Sequence, residues 1–86
     1  MNKKFKAVAL RYKSGEYAPK VIAKGQGYTA NRIIEESKKY NIKTYQDPQL
    51  TEQLYKLDIN QFIPEDLFET VAQILIYIGY LDNKKN

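Results

Sequence analysis

The sequence predicts an α/β domain in which helices surround a small mixed β-sheet of about three to four strands. Short β-rich runs alternate along the chain with segments of helical period, which is the order typical of this fold class. The chain has 86 residues, enough for one compact core, so we expect residues 1–86 to form a single domain. Hydrophobic residues make up 43% of it and charged residues 28%, as in ordinary globular proteins.

Two short runs near the N-terminus are predicted to form a β-hairpin. Residues 6–12 (KAVALRY) contain an apolar run between basic residues, typical of a central or nearly central strand covered on both faces. Residues 13–16 (KSGE) indicate a turn, and residues 20–24 (KVIAK) are a second β-rich run. Gly25 and Gly27 then interrupt the pattern, so we expect two strands joined by a long loop.

A helix, a strand and a second helix are predicted next. From Tyr28, apolar and small residues recur at helical spacing as far as Tyr40, and we expect Asn41 to end the helix in the left-handed conformation. Residues 42–46 (IKTYQ) alternate like a strand, which would complete a right-handed strand–helix–strand crossover. Asp47 and Pro48 then have the order of an N-cap and a first helical residue, ahead of leucines at helical spacing.

The last predicted helix begins at Pro64 and carries the main apolar face of the core. Glu65 and Asp66 lie at its start, where negative charge complements the helix dipole. Residues 74–81 (ILIYIGYL) are apolar almost all round. This surface is therefore either deeply buried or offered to a partner.

The composition excludes several function classes. The chain has no cysteine and no histidine, so it lacks thiolate ligands, imidazole ligands and the usual imidazole base. We therefore expect no metal, no cofactor and no enzymatic activity. No run reaches the length of a membrane helix or of a signal peptide, and we expect a cytoplasmic protein without direct membrane insertion.

The charge is unevenly distributed. Residues 1–43 hold nine Lys and two Arg against three Glu, a net charge of +8, whereas residues 44–86 hold three Lys against seven acidic residues, a net charge of −4. A solvated, dipolar surface explains this pattern. The alternative is a small basic nucleic-acid-binding domain that stacks bases on Tyr12, Tyr28 and Tyr40. Nucleic acid is not our expected partner, because no motif of the RNA-recognition type is present.

Five ordered blocks resemble one known family, the FlhB and type III secretion switch family, over residues 2–81, and specifically its C-terminal cytoplasmic domain. The blocks are residues 7–12 (AVALRY), 18–25 (APKVIAKG), 47–50 (DPQL) with 54–56 (LYK), 63–65 (IPE) and 71–72 (VA). Several blocks in order at sensible spacing are far more specific than any one of them. The resemblance implies a role in flagellar or type III protein export.

The family cleaves itself after the Asn of an Asn-Pro-Thr-His sequence, and only that Asn is matched here. The corresponding residues read Asn2, Lys3, Lys4 and Phe5. Cleavage after Asn needs a strained turn and neighbouring groups that handle protons, and the chain has no histidine to assist. We therefore assign no catalytic residue, and expect the chain to act as a stand-alone counterpart of the cleaved domain.

The resemblance also implies two binding sites. In the full-length family a preceding strand joins the sheet, and the lack of a matching strand here suggests an unpaired backbone edge. We hypothesise that this edge, formed by Ala7, Val8, Ala9 and Leu10, docks by β-augmentation on flagellar export-gate membrane proteins, including a full-length or truncated FlhB-like protein. Met1 to Phe5 covering that edge is the structural alternative. This docking would place the chain at the inner face of the membrane.

The second implied site is an apolar patch for export substrates. The matching positions are Ala18 and Pro19 before the second strand, and Ala72 and Leu75 on the last helix. Small residues beside a proline leave a shallow apolar depression suited to a short hydrophobic segment. An ordinary core would also use Ala72 and Leu75, three residues apart on one helical face.

Overall fold

The structure is a computed structural model, and it describes residues 5–81. It confirms the α/β class. The elements are two strands, three α-helices and one 3-10 turn, in the order β1 (Lys6–Arg11), β2 (Lys20–Gln26), α1 (Tyr28–Lys39), α2 (Pro48–Tyr55), the 3-10 turn (Glu65–Leu67) and α3 (Phe68–Tyr77).

β1 and β2 form the predicted antiparallel hairpin. Lys6 pairs with Gln26 and Ala9 with Ala23, after which the register shifts and leaves Ile22 as a β-bulge. In the loop, the N–H of Glu16 donates to the carbonyl of Lys13 at 3.0 Å, and Gly15 has a φ of 91°. These features are those of a type II turn, in which the third residue needs a positive φ.

The predicted strand at residues 42–46 does not form, and this part of the prediction is wrong. Those residues are irregular and exposed, and the sheet of the described residues contains only β1 and β2, both edge strands. The sheet is therefore antiparallel rather than mixed, and no strand–helix–strand crossover exists. The alternating pattern shows that a segment is able to pair, but a strand also needs a partner, and residues 5–81 offer it none.

Helices cover both faces of the hairpin. α1 packs on one face, where Ala7 of β1 and Ala30 of α1 are buried. Asn41 ends this helix with a φ of 58°, as predicted. On the opposite face, α2, the 3-10 turn and α3 enclose the core cluster, which consists of Ala18, Leu50, Leu54, Ile63, Leu67 and Val71.

The two later helices begin as their sequences indicate, with one difference. Asp47 caps α2 by accepting a hydrogen bond from the N–H of Leu50, and Pro48 is the first helical residue. Pro64 likewise precedes a helical segment, but the first turn is a 3-10 turn and α3 begins only at Phe68. No helix within residues 5–81 is long and apolar enough to cross a bilayer.

The outer edge of β2 is covered at its start by residues 60–62, whereas no strand within residues 5–81 pairs with the outer edge of β1. The N–H of Val21 donates to the carbonyl of Gln61 at 2.9 Å, and the carbonyl of Val21 accepts from the N–H of Asn60 at 2.7 Å. A single bridge joins Lys20 to Phe62. Within the described residues, β2 is the only strand paired with β1.

Candidate functional site

An apolar pocket lies between the loop that precedes β2 and helix α3. Its volume is about 180 Å³. We call it the α3 pocket, and its lining consists of Tyr12, Tyr17, Ala18, Pro19, Phe68, Ala72, Leu75 and Leu81. All four residues predicted to form the substrate patch are among them, although they come from segments more than 50 residues apart in the chain.

The pocket is anchored to the core on both sides. Ala18 is 2% exposed and belongs to the core cluster, against which Leu75 also packs. The carbonyl of Pro19 accepts a hydrogen bond of 2.9 Å from the N–H of Ile63, itself 1% exposed. These residues therefore pack against the core and line the pocket at the same time. A role in core packing is thus compatible with a role in substrate binding.

Aromatic rings form one wall of the pocket. Tyr17 packs edge-to-face against Phe68, with 5.6 Å between ring centroids, and also against Phe62, at 5.7 Å. The Tyr17 hydroxyl donates to Glu65 at 2.9 Å. This hydrogen bond, together with burial and the charge of Glu65, raises the pKa of Tyr17 above its usual value.

These rings are not among the pocket residues predicted from the sequence. A signal was nevertheless present, because Phe68 precedes Ala72 by four positions and therefore lies on the same helical face. Tyr17 is the neighbour of Ala18 in the chain. Tyr12 and Leu81 carried no comparable signal, since they reach the pocket from the end of β1 and from the turn after α3.

The predicted docking edge divides into two kinds of residue. The carbonyl of Phe5 accepts a hydrogen bond from the N–H of Gly27 and therefore points toward the β2 side of the hairpin. Backbone N–H and C=O groups alternate in direction from one residue to the next along an antiparallel strand. The backbone groups of Ala7 and Ala9 therefore also point toward β2. Those of Val8 and Leu10 point to the outer edge. The side chains of Val8 and Leu10 pack against the core cluster, so these two residues offer their backbone alone.

A second depression, which we call the α1 groove, lies between α1 and the face of the hairpin. Its volume is about 460 Å³. Ala9 and Ala23 contribute from the hairpin and Ile42 from the irregular segment after α1. The remaining lining residues are Tyr28, Thr29, Arg32, Ile33, Glu36, Ser37 and Tyr40. The groove thus separates β1 from the segment whose sequence alternates like a strand.

The tyrosines of the nucleic-acid alternative do not form one surface. Tyr12 lines the α3 pocket, whereas Tyr28 and Tyr40 line the α1 groove on the other face of the hairpin. The described residues contain no group of His, Cys, Asp or Glu able to hold a metal ion. Asn2, the residue matched to the cleavage position, lies outside the described residues.

A family model described as the FlhB HrpN YscU SpaS family matches residues 1–78. The chain belongs to this family. Several of its relatives are named as flagellar biosynthetic or secretion proteins, and the chain is 40% identical over 77 residues to the flagellar biosynthetic protein FlhB of Escherichia coli. It is 42% identical over 74 residues to the hypersensitivity response secretion protein HrcU of Ralstonia nicotianae. None of these names refers to nucleic-acid binding.

The relatives differ in length. The chain covers 20% of E. coli FlhB and 21% of HrcU, and so spans about a fifth of either protein. By contrast, it covers 91% of the uncharacterized protein YlqH of Bacillus subtilis, to which it is 45% identical over 85 residues.

Solved structures of the family share the fold. The cytoplasmic domain of FlhB from Shewanella putrefaciens matches with a TM-score of 0.80 and 40% identity, over 85% of this chain and 61% of that one. The C-terminal domain of PscU also matches with a TM-score of 0.80, at 26% identity, over 86% of this chain and 96% of that one. The family resemblance found in the sequence is thus confirmed.

Proposed function

We propose that this chain performs the task of the C-terminal switch domain of FlhB-like proteins, by docking on the export gate and receiving export substrates. One observation carries the proposal. Ala18, Pro19, Ala72 and Leu75, the positions that match the family's substrate patch, lie together on one apolar pocket. Family membership and the shared fold support the same role.

The α3 pocket suits a short apolar segment of a substrate. Its walls are mainly alanine, proline, leucine and aromatic side chains, so a bound segment would gain chiefly from removal of apolar surface from water. Small wall residues lose little side-chain entropy when a ligand binds. A contact of this size is weak and reversible, as it must be for a substrate that is passed on to an export channel.

The open edge of β1 suits docking by β-augmentation. Val8 and Leu10 offer outward N–H and C=O groups, and an added strand would form main-chain hydrogen bonds with them. Its side chains on the α1 face would enter the α1 groove, which is bordered by Ala9 and Ile42. Residues 42–46 would then have a neighbouring strand with which to pair, and this pairing would account for their alternating sequence.

The partner we propose for this edge is an FlhB-like membrane protein, full-length or truncated, in the export gate. Docking on it would hold the chain at the inner face of the membrane without insertion of its own. The chain needs no catalytic residue, metal or cofactor for this task.

Co-purification with an FlhB-like protein truncated just before its cleavage turn tests the docking. We expect the wild-type chain to co-purify with it and Val8→Pro to lose binding at least tenfold, because proline removes an outward N–H donor. Ser14→Pro is the matched control, since Ser14 occupies the second position of a type II turn, where proline is favoured. Equal recovery of Val8→Pro and wild type would contradict docking at this edge.

A second variant guards against misfolding, because the Val8 side chain packs against the core. Lys6→Pro also removes an outward N–H, but at the first residue of β1, where proline is tolerated. Thermal unfolding of both variants shows whether they fold. A folded Lys6→Pro chain that binds like the Ser14→Pro control would overturn the proposed edge.

A further inference from the structure

The chain after α3 folds back onto the last turn of that helix. Gly79 has a φ of 84°, and its N–H donates to the carbonyl of Ile76 at 3.0 Å. The N–H groups of Tyr80 and Leu81 both donate to the carbonyl of Leu75, at 2.8 and 3.1 Å. This is the Schellman arrangement, which reverses the chain at a glycine. It brings Leu81 next to Leu75 in the lining of the α3 pocket.

A side-chain hydrogen bond fixes this turn against the hairpin. The hydroxyl of Tyr80 donates to the carbonyl of Tyr12 at 2.7 Å, across 68 positions of sequence. Tyr12 directly follows β1 and also lines the pocket. Tyr80 is 56% exposed as a residue, and this hydrogen bond joins it to the end of the hairpin. Tyr80 therefore connects two walls of the pocket that come from opposite ends of the chain.

The volume of the pocket limits what it can hold. An apolar cavity of about 150 Å³ accommodates a benzene ring, so the 180 Å³ of the α3 pocket suits one aliphatic or phenyl-sized side chain. An indole ring system is larger than a phenyl ring, so it fits only when one of the lining side chains moves outward. Leu81 closes the pocket from the chain after α3, where the Schellman turn and the hydrogen bond of Tyr80 to Tyr12 hold this chain segment in place.

We propose that Leu81 sets the upper size of the side chain accepted by the α3 pocket, and that Tyr80 acts as a positioning residue which holds Leu81 in place. This inference rests on the proposed function of the pocket as the substrate site. It adds two specificity-determining residues to the four small and apolar ones that match the family's patch.

The test compares the affinities of N-acetyl-phenylalaninamide and N-acetyl-tryptophanamide for the full chain. The methyl signals of Ala18 and Ala72 in NMR titrations report binding in the pocket. The wild-type chain should prefer the phenylalanine probe. In Leu81→Ala the affinity ratio should shift toward the tryptophan probe by at least about tenfold, since a single methylene in an apolar pocket is worth that much.

Tyr80→Phe should shift the ratio in the same direction by about threefold, because it removes one hydrogen bond. Tyr77→Phe is the matched control: this tyrosine is 78% exposed and lies on α3 outside the pocket lining, and its change should leave the ratio as in the wild type. The ratio of the two affinities does not respond to an overall loss of stability, because such a loss weakens the binding of both probes equally.

The outcomes distinguish the size limit set by Leu81 and Tyr80, which we call the size filter, from substrate binding in the pocket itself. If both probes bind but neither Leu81→Ala nor Tyr80→Phe changes the ratio by more than twofold, the size filter is overturned and the substrate pocket stands. A shift in Leu81→Ala alone overturns the positioning role of Tyr80. If neither probe moves the Ala18 and Ala72 methyl signals of the wild type, the proposed substrate pocket fails and the size filter fails with it.

Discussion

Gly25 of β2 lies directly beneath Thr29 of α1. A β-carbon added to Gly25 would come within 2.7 Å of the Thr29 Cβ and still closer to its Cγ2, a separation that real side chains do not adopt. Glycine at this position therefore allows α1 to approach the hairpin. The close approach fixes the helix that forms one side of the α1 groove.

Gly25→Ala should lower the free energy of unfolding by about 1–3 kcal/mol, the usual cost of overpacking. Chemical denaturation measures it. Thr29→Gly removes the obstructing side chain, so the double variant should regain most of the loss beyond the small helix-propensity cost of the glycine. Simple additivity of the two single changes would contradict a steric origin.

Ile63→Ala should lower the free energy of unfolding by about 2–5 kcal/mol, because it leaves a cavity in the core. Ile63 is 1% exposed and lies between the strand bridge at Phe62 and the start of the 3-10 turn. Ile59→Ala is the matched control, since Ile59 is 51% exposed and its change should stay within about 0.5 kcal/mol. Similar losses in both variants would show that Ile63 is not a core residue.

Asp47→Ala should lower the free energy of unfolding by about 0.5–2 kcal/mol through loss of the N-cap of α2. The Asp47 carboxylate accepts the N–H of Leu50 at 3.1 Å, a bond that alanine cannot replace. Asp47→Asn keeps an acceptor oxygen and should unfold at nearly the wild-type denaturant concentration. If the asparagine variant is as unstable as the alanine variant, the cap does not act through this hydrogen bond.

The hydrogen bond from Tyr17 to Glu65 predicts a pH effect at alkaline pH. It favours the protonated phenol in the folded chain, so its stabilisation is complete below the pKa of an unfolded tyrosine and is lost as the pH rises through the raised pKa of Tyr17. In Glu65→Gln, NMR titration of the Tyr17 ring carbon should show a lower pKa than in the wild type. An unchanged Tyr17 pKa in this variant would contradict the contact.

Local signals account for most of the fold that the sequence predicted. The hairpin follows from two β-rich runs around a turn with glycine, and α2 follows from an Asp-Pro pair that serves as cap and first residue. Residues 42–46 have the pattern of a strand but no strand beside them in the described chain. An alternating pattern does not by itself provide a neighbouring strand, so the sequence predicts more strands than the sheet contains.

The family resemblance predicts the pocket residues that lie in or beside matched blocks. It does not predict residues whose role depends only on tertiary contacts. Ala18, Pro19 and Ala72 lie in matched blocks and Leu75 follows Ala72 by three positions on the same helix, and all four line one pocket. Tyr80 was not predicted, because its partner is a backbone carbonyl 68 positions away. Which residues of β1 point outward was equally hidden, since it depends on the hydrogen-bond register with β2.

Secretion of late flagellar substrates is the decisive test of whether this chain acts as a detached switch domain. The measurement uses cells whose FlhB-like membrane protein ends just before its cleavage turn, with and without this chain supplied separately. We predict that the wild-type chain restores secretion, that Ala72→Asp restores at least tenfold less, and that Gln73→Asp, a change at an exposed neighbour on α3, restores it fully. If the folded wild-type chain is present in these cells and no late substrate is secreted, the proposed role as a detached switch domain is wrong.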